Sequence, residues 1–203
     1  MTEQEKLKRY INDIENAAIF VEKHFINKEV IYSTNTENIS IIFKRSNFMH
    51  LCGIKYNDGA NEFFNAATNH KLDLKKIKVK KDGITFLKLS LLKSIEYLLS
   101  SEIILTDNAI YLHIAFDKAL KTKKQIFSLT LKSNNAFFVP QSLLNLKQMN
   151  NFPNGKNYRD KIYCSAKSKR NHLFITINKR MIFSYICFIK VTYCFYKYNE
   201  QNN

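Results

Sequence analysis

Beyond Thr106-Asp107-Asn108 the chain becomes a succession of short runs, AIYLHIAF, IFSLTLK, AFFVP, KIYCSAK and HLFITIN, split by turn-rich connectors such as KSNN and NNFPNGKN. Runs of β-branched and aromatic residues bounded by such connectors read as strands. A second half that is mainly β restricts the fold more than any other feature.

The first half has a different texture. From Thr2 to Phe25, the apolar positions Leu7, Tyr10, Ile11, Ile14, Ala17, Ala18, Val21 and Phe25 recur at helical spacing, with Thr2 and Glu5 placed as a capping box. Val30 to Ser33 and Ile39 to Lys44, on either side of the polar TNTEN, predict a hairpin. Asp58-Gly59 opens a second helix carrying Phe63, Phe64, Ala66 and Ala67 and ending near Asn69-His70. IKVKKDGITFLKL alternates apolar and lysine residues about Asp82-Gly83, which predicts another hairpin. A third helix is expected from about Leu89 to Ser100, burying Leu91, Leu92, Ile95, Leu98 and Leu99. Helices early and strands late give an α+β class, N-terminal helices packed on an antiparallel β-sheet. With no internal repeat or linker, residues 1–179 read as a single domain and 180–203 as an atypical hydrophobic C-terminal extension.

Charge narrows the partners. Thirty-two Lys and Arg against 17 Asp and Glu give a net +15, which repels itself unless a polyanion is close by. Nucleic acid is the leading partner, although a lysine-rich face can also be merely solvated. Cys52, Cys164, Cys187 and Cys194 show no C-x-x-C spacing and read as reduced thiols. The polar start Met1 to Lys6 does not resemble a secretory signal, so a cytoplasmic location is expected. Met181 to Tyr198, MIFSYICFIKVTYCFYKY, is apolar enough to raise the question of a membrane span, but Lys190 sits at its centre. A hairpin or edge strand is favoured there over membrane insertion.

No P-loop, dinucleotide fingerprint, nucleophile elbow or metal-binding helix motif is present, and four glycines are too few for a glycine-rich phosphate cradle. The acids are dispersed, which disfavours two-metal phosphodiester chemistry; neither a metal nor a cofactor is expected. Metal-free RNA cleavage needs a base for the 2′-hydroxyl, an acid for the leaving oxygen and cations for the phosphorane. His50, in SNFMHLCGIK and flanked by Lys44, Arg45 and Lys55, suits proton transfer near neutrality. A lone histidine beside Phe48 and Leu51 is, however, more often a satisfied core residue. Lys88, a single cation among apolar residues, either snorkels to water or meets a carboxylate or phosphate. Ser142 follows Pro140 closely and is expected to cap a helix beginning near Leu143, a position that also suits a phosphate.

In order, FKRSNFMHLCGI, ANEFFNAA, DGITFLKLSLL, LTLKSNNAFFVPQSLLNL and KIYCSAKSK resemble the phage-borne branch of the barnase, EndoU, colicin and RelE nuclease superfamily, over about residues 1 to 170. The resemblance implies N-terminal helices on an antiparallel sheet and a metal-independent RNase-like site along one sheet face. It makes His50 the motif histidine, Lys88 the lysine after the glycine turn and Ser142 the hydroxyl after the proline. Cys52 stands where a small hydroxyl residue is expected, and the tail after about Lys179 departs from the family pattern.

The expected function is therefore that of a phage or prophage-type endoribonuclease or toxin-like nuclease. His50 would serve as acid or base, Lys88 would stabilise the phosphorane, and Ser142 would bind a phosphate oxygen. Lys44, Arg45, Lys55 and Lys132 would position the RNA backbone, and an immunity or host-defence protein is a second expected partner. The alternative is a non-catalytic, basic protein that binds nucleic acid or blocks a host defence system.

Overall fold

The computed structural model describes residues 2–34, 37–80, 83–100, 102–124, 126–147, 152–153, 155–166 and 174–177. The segment Met181 to Tyr198 and Cys187 and Cys194 lie outside the described residues.

The N-terminal helical pattern forms two helices rather than one. Helix α1 (Glu3–Lys8) carries the expected capping box: the Glu5 N–H donates to Thr2 Oγ1 at 3.2 Å, and the Thr2 N–H donates to Glu5 Oε2 at 2.6 Å. The helix stops at Arg9, and α2 (Ile11–His24) begins after Tyr10. The inward face of α2 consists of Ile14, Ala17, Ala18 and Val21, the spacing of a single helical stripe.

Strands β1 (Lys28–Thr34) and β2 (Asn38–Ile42) form the expected hairpin, with Val30 opposite Ile41 and Tyr32 opposite Ile39. The following segment, SNFMHLC, is helical: α3 (Arg45–Cys52) is opened by Asn47 Oδ1 accepting the Lys44 N–H at 2.8 Å and closed by Gly53 at φ +68°. Phe48 lies between Phe63 and Phe64, ring centroids 5.9 and 5.4 Å away, which seats α3 on α4 (Ala60–Thr68).

The expected hairpin about Asp82-Gly83 does not form. Strand β3 (Ile54–Tyr56) instead pairs with β4 (Ile77–Val79), and Gly83, in a left-handed conformation at φ +72°, stands at the N-terminus of helix α5 (Ile84–Leu89). The third helix also differs, since α5 ends at Leu89 and a 3-10 helix, Leu92–Leu99, follows. Its buried residues Leu92, Ile95 and Leu98 are three apart, the spacing at which side chains of a 3-10 helix eclipse. Tyr32 fastens it to the sheet by donating its hydroxyl to the Leu98 carbonyl at 2.9 Å.

The remaining elements are strands: β5 (Ile103–Thr106), β6 (Ala109–Tyr111), β7 (Ile114–Phe116), β8 (Lys118–Thr122), β9 (Phe127–Asn134), β10 (Phe137–Asn145), β11 (Gly155–Ala166) and β12 (Phe174–Ile177). The main sheet runs β1-β2-β10-β9-β8-β5-β11-β12, and β11 pairs with β1 as well as β5, so the hydrogen-bonded ladder returns on itself. The α+β class holds, but the sheet is mixed rather than antiparallel because β2 and β10 run parallel. Two chain segments that enter the sheet from separate halves of the sequence meet at that junction. Their direction is fixed by packing, not by a hairpin turn.

Helix α3 packs on β10, and α2 and α4 pack on α3 and on each other, around a core that includes Phe25, Val30, Tyr32, Ile41, Leu129 and Leu131. A second cluster, Phe116, Ala119, Leu144, Leu146 and Phe152, lies under the β6–β7 hairpin. Among the described residues, no helix is long and apolar enough to cross a membrane.

Candidate active site

Three elements converge beside Gly53. As the left-handed cap of α3, Gly53 needs a φ of +68°, and it also permits a close approach: a Cβ there would lie 2.8 Å from Lys88 Cδ. The Gly53 carbonyl accepts the Thr85 hydroxyl at 2.6 Å, and Thr85 Oγ1 in turn accepts the Lys80 N–H at 3.2 Å. These bonds fasten the end of α3 to the first turn of α5. Lys88, one turn beyond Thr85, is led across Gly53 toward the sheet.

There Lys88 Nζ donates to Ser142 Oγ at 2.9 Å. Lys88 is 7% exposed and Ser142 3%. A buried cation held by a hydroxyl is a costly arrangement unless its geometry is satisfied, and a hydrogen bond to a charged group contributes about 1.5–3 kcal/mol. The expected helix at Leu143 is absent, because β10 runs to Asn145 and carries Ser142 within it. Pairing with β9 shifts register between Pro140 and Ser142. Proline cannot donate to a ladder, so an irregularity beside it is where a strand can accept it, and such a bulge re-aims the neighbouring side chain.

His50 is in the last turn of α3, exposed while Phe48, Leu51 and Cys52 are buried. The core reading of this histidine is therefore overturned. Its pKa is lowered from the ordinary 6.5, first by partial burial of the ring, then by the charges of Lys88 and Lys80. A helix C-terminus favours a protonated histidine. Burial and the two lysines outweigh it, and the net direction favours the neutral imidazole. The structure thus brings Lys88 and Ser142 into contact and sets His50 within the electrostatic reach of Lys88. Cys52, beneath His50 in the same turn, is fully buried, and burial pushes its thiol pKa up.

The four expected backbone-binding residues are in different situations. Lys44 and Lys55 are exposed. Arg45 is bound to Glu22, Nη2 to Oε1 at 2.7 Å, and Lys132 to Asp117 at 3.2 Å, so both carry a counter-charge. Lys55 stands directly opposite Lys78 in the β3–β4 pair, and both are exposed. Like charges facing each other across strands are unfavourable, and an anion between them relieves the repulsion. With Lys80 acting on His50, this strand pair extends a basic strip to the histidine.

Lys80, Thr85 and Lys78 were not singled out from the sequence. The visible signal was the G-I-T-F-L-K run itself, in which a glycine with a threonine two residues later marks a helix entry as well as it marks a turn. Among the described residues no group of three His, Cys, Asp or Glu stands close enough to hold a metal ion.

A family model described as phage-Barnase-EndoU-ColicinE5/D-RelE like nuclease 4, PBECR4, matches residues 13–185. The chain belongs to this nuclease family. All of the residues just described fall within the matched span, and the substrate class of such a family is nucleic acid. No curated protein and no solved structure gives a significant match.

Proposed function

We propose that this PBECR4 member is a phage or prophage-type, metal-independent endoribonuclease whose chemistry is centred on His50, Lys88 and Ser142. The observation that carries the reading is the Lys88–Ser142 hydrogen bond of 2.9 Å, with the charge of Lys88 reaching a histidine whose pKa is lowered first by burial and then by that charge. Neutral His50 takes the proton of a ribose 2′-hydroxyl as its oxygen attacks the adjacent phosphorus. The negative charge that develops on the phosphorane is met by Lys88. Ser142 accepts from Lys88, and among the described residues its own proton has a long contact, 3.5 Å, to the Leu143 carbonyl; in this reading it turns to a phosphate oxygen. The bond from phosphorus to the 5′-oxygen then breaks, and that oxygen takes a proton from His50 in its protonated form or from water.

Lys44, Lys55 and Lys78 hold the backbone in this reading, with Arg45 and Lys132 engaged through exchange of their carboxylate partners. The helices packed on the sheet are consistent with a barnase/RelE-like fold. Residues 1–179 form the nuclease domain and 180–203 an extension. The protein acts in the cytoplasm as a toxin-like nuclease, with an immunity or host-defence protein as a further partner.

A second reading, a non-catalytic nucleic-acid-binding or defence-blocking protein, is favoured by the burial of Lys88 and Ser142, 7% and 3% exposed. Labelled RNA incubated with the protein in excess chelator, beside His50→Ala, separates the two. The nuclease reading requires cleavage by the wild type and its loss, by about 10²- to 10⁴-fold, in the variant. Cleavage by both proteins removes His50 from the chemistry, and cleavage by neither favours the second reading.

A further inference from the structure

At the opposite end of α3 from His50 lies an open groove of about 510 Å³, lined by Asn27, Phe43, Lys44, Arg45, Asn61 and Asn65 among others. That volume falls within the roughly 300–1,000 Å³ range of small-ligand sites. Phe43 is 3% exposed and its backbone is bridged to Ile26, so the apolar floor of the groove is tied into the core. Asn61 and Asn65 are four residues apart on α4 and share one face of it, while Asn27 is held in a left-handed conformation at φ +58°. None of the three amide side chains makes a hydrogen bond among the described residues, and all three residues are exposed.

The chemistry of this set is specific. A carboxamide offers two donors and an acceptor, the combination that matches a nucleobase edge, and three of them line this groove together with Ile26, Ile42 and Phe43. Lys44 supplies a positive charge with no ion pair among the described residues, and Arg45 presents the part of its guanidinium that Glu22 does not take. Arg45 and His50 are five positions apart on α3, about 7.5 Å along the helix axis. We propose that this groove is a nucleotide subsite that reads one base of single-stranded RNA flanking the phosphate beside His50. The location of the scissile phosphate rests on the nuclease reading above; the binding of a nucleotide in the groove does not.

The test uses the full-length, ¹⁵N-labelled protein titrated with each of the four nucleoside 3′-monophosphates, and with inorganic phosphate at matched ionic strength. Nucleotides are expected to shift the side-chain amide signals of Asn61 and Asn65, with affinities that differ by at least about threefold between bases. Inorganic phosphate is expected to shift only the backbone signals of Lys44 and Arg45. The Asn61→Ala/Asn65→Ala double variant, altered at two exposed positions, should bind the preferred nucleotide about tenfold more weakly. Identical shifts from phosphate and nucleotides, equal affinity for all four bases, or unchanged binding by the double variant would each overturn the subsite. RNA cleavage without amide shifts removes the groove and leaves the nuclease reading; amide shifts without cleavage do the reverse.

Discussion

The proton affinity of His50 is lowered first by its own partial burial and then by Lys88, a lysine 38 positions away in the chain. Replacing Lys88 with Met removes that charge while keeping most of the side-chain volume. The His50 pKa, followed by NMR titration, should then rise toward 6.5 without reaching it, because burial and Lys80 remain. An unchanged value would mean that Lys88 and His50 do not share a site. Gly53 makes the second argument at this scale. Gly53→Ala combines a φ of +68° with a Cβ only 2.8 Å from Lys88 Cδ. It should lower stability by about 1–2 kcal/mol in urea unfolding and displace Lys88 from Ser142, so that the His50 titration shifts as well. A loss of stability with an unmoved histidine would show that Lys88 does not pass over Gly53.

The elements that support the site differ in how they respond to pH. His24, in the last turn of α2, packs its ring at 4.7 Å from that of Phe20, and its pKa is lowered to about 4 by burial and then by Lys23 and Lys28. Its ordinary value is 6.5, so the unfolded chain binds this proton more readily than the folded one. The contribution to stability is complete above pH 6.5, declines as the pH falls toward about 4, and levels off below that. Urea midpoints measured from pH 7 to 4 should show this decline, and His24→Gln should flatten it. Several elements were legible in the sequence because their burial pattern is local. The stripe Ile14, Ala17, Ala18 and Val21, the β1–β2 hairpin and the Phe63-Phe64-Ala66-Ala67 face needed no tertiary information. Helix α5 was not legible: I-T-F-L-K-L has the composition of a strand, and its helicity depends on Thr85 bonding to Gly53 and on Lys88 reaching the sheet. Ser142 was misread for a related reason. Pro140 ordinarily ends a strand, and only the pairing with β9 shows that a bulge accommodates it. The site residues could thus be chosen from the sequence by chemistry, while their contact depended on these long-range pairings.

For the whole molecule, the net charge of +15 has to act through particular residues. Ion pairs occupy Arg45, Lys76, Lys118 and Lys132, whereas Lys55 and Lys78 face each other in solvent beside the site. If both meet phosphates, each contributes about 0.7 to the slope of log affinity against log salt for a single strand. Lys55→Gln/Lys78→Gln should therefore reduce the steepness of that slope by about 1.4, whichever sequence is bound. An unchanged slope would place the RNA path elsewhere on the surface.

The central claim is that His50, beside Lys88 and Ser142, activates a ribose 2′-hydroxyl. It is tested most directly in chelator with an RNA strand and an otherwise identical strand bearing one 2′-deoxynucleotide at the mapped cleavage position. The account predicts that the protein cuts the RNA to leave a 2′,3′-cyclic phosphate, that the substituted strand stays intact at that position, and that His50→Ala cuts neither. Equal cleavage of both strands at that position, or cleavage of the RNA by His50→Ala at the wild-type rate, would contradict it.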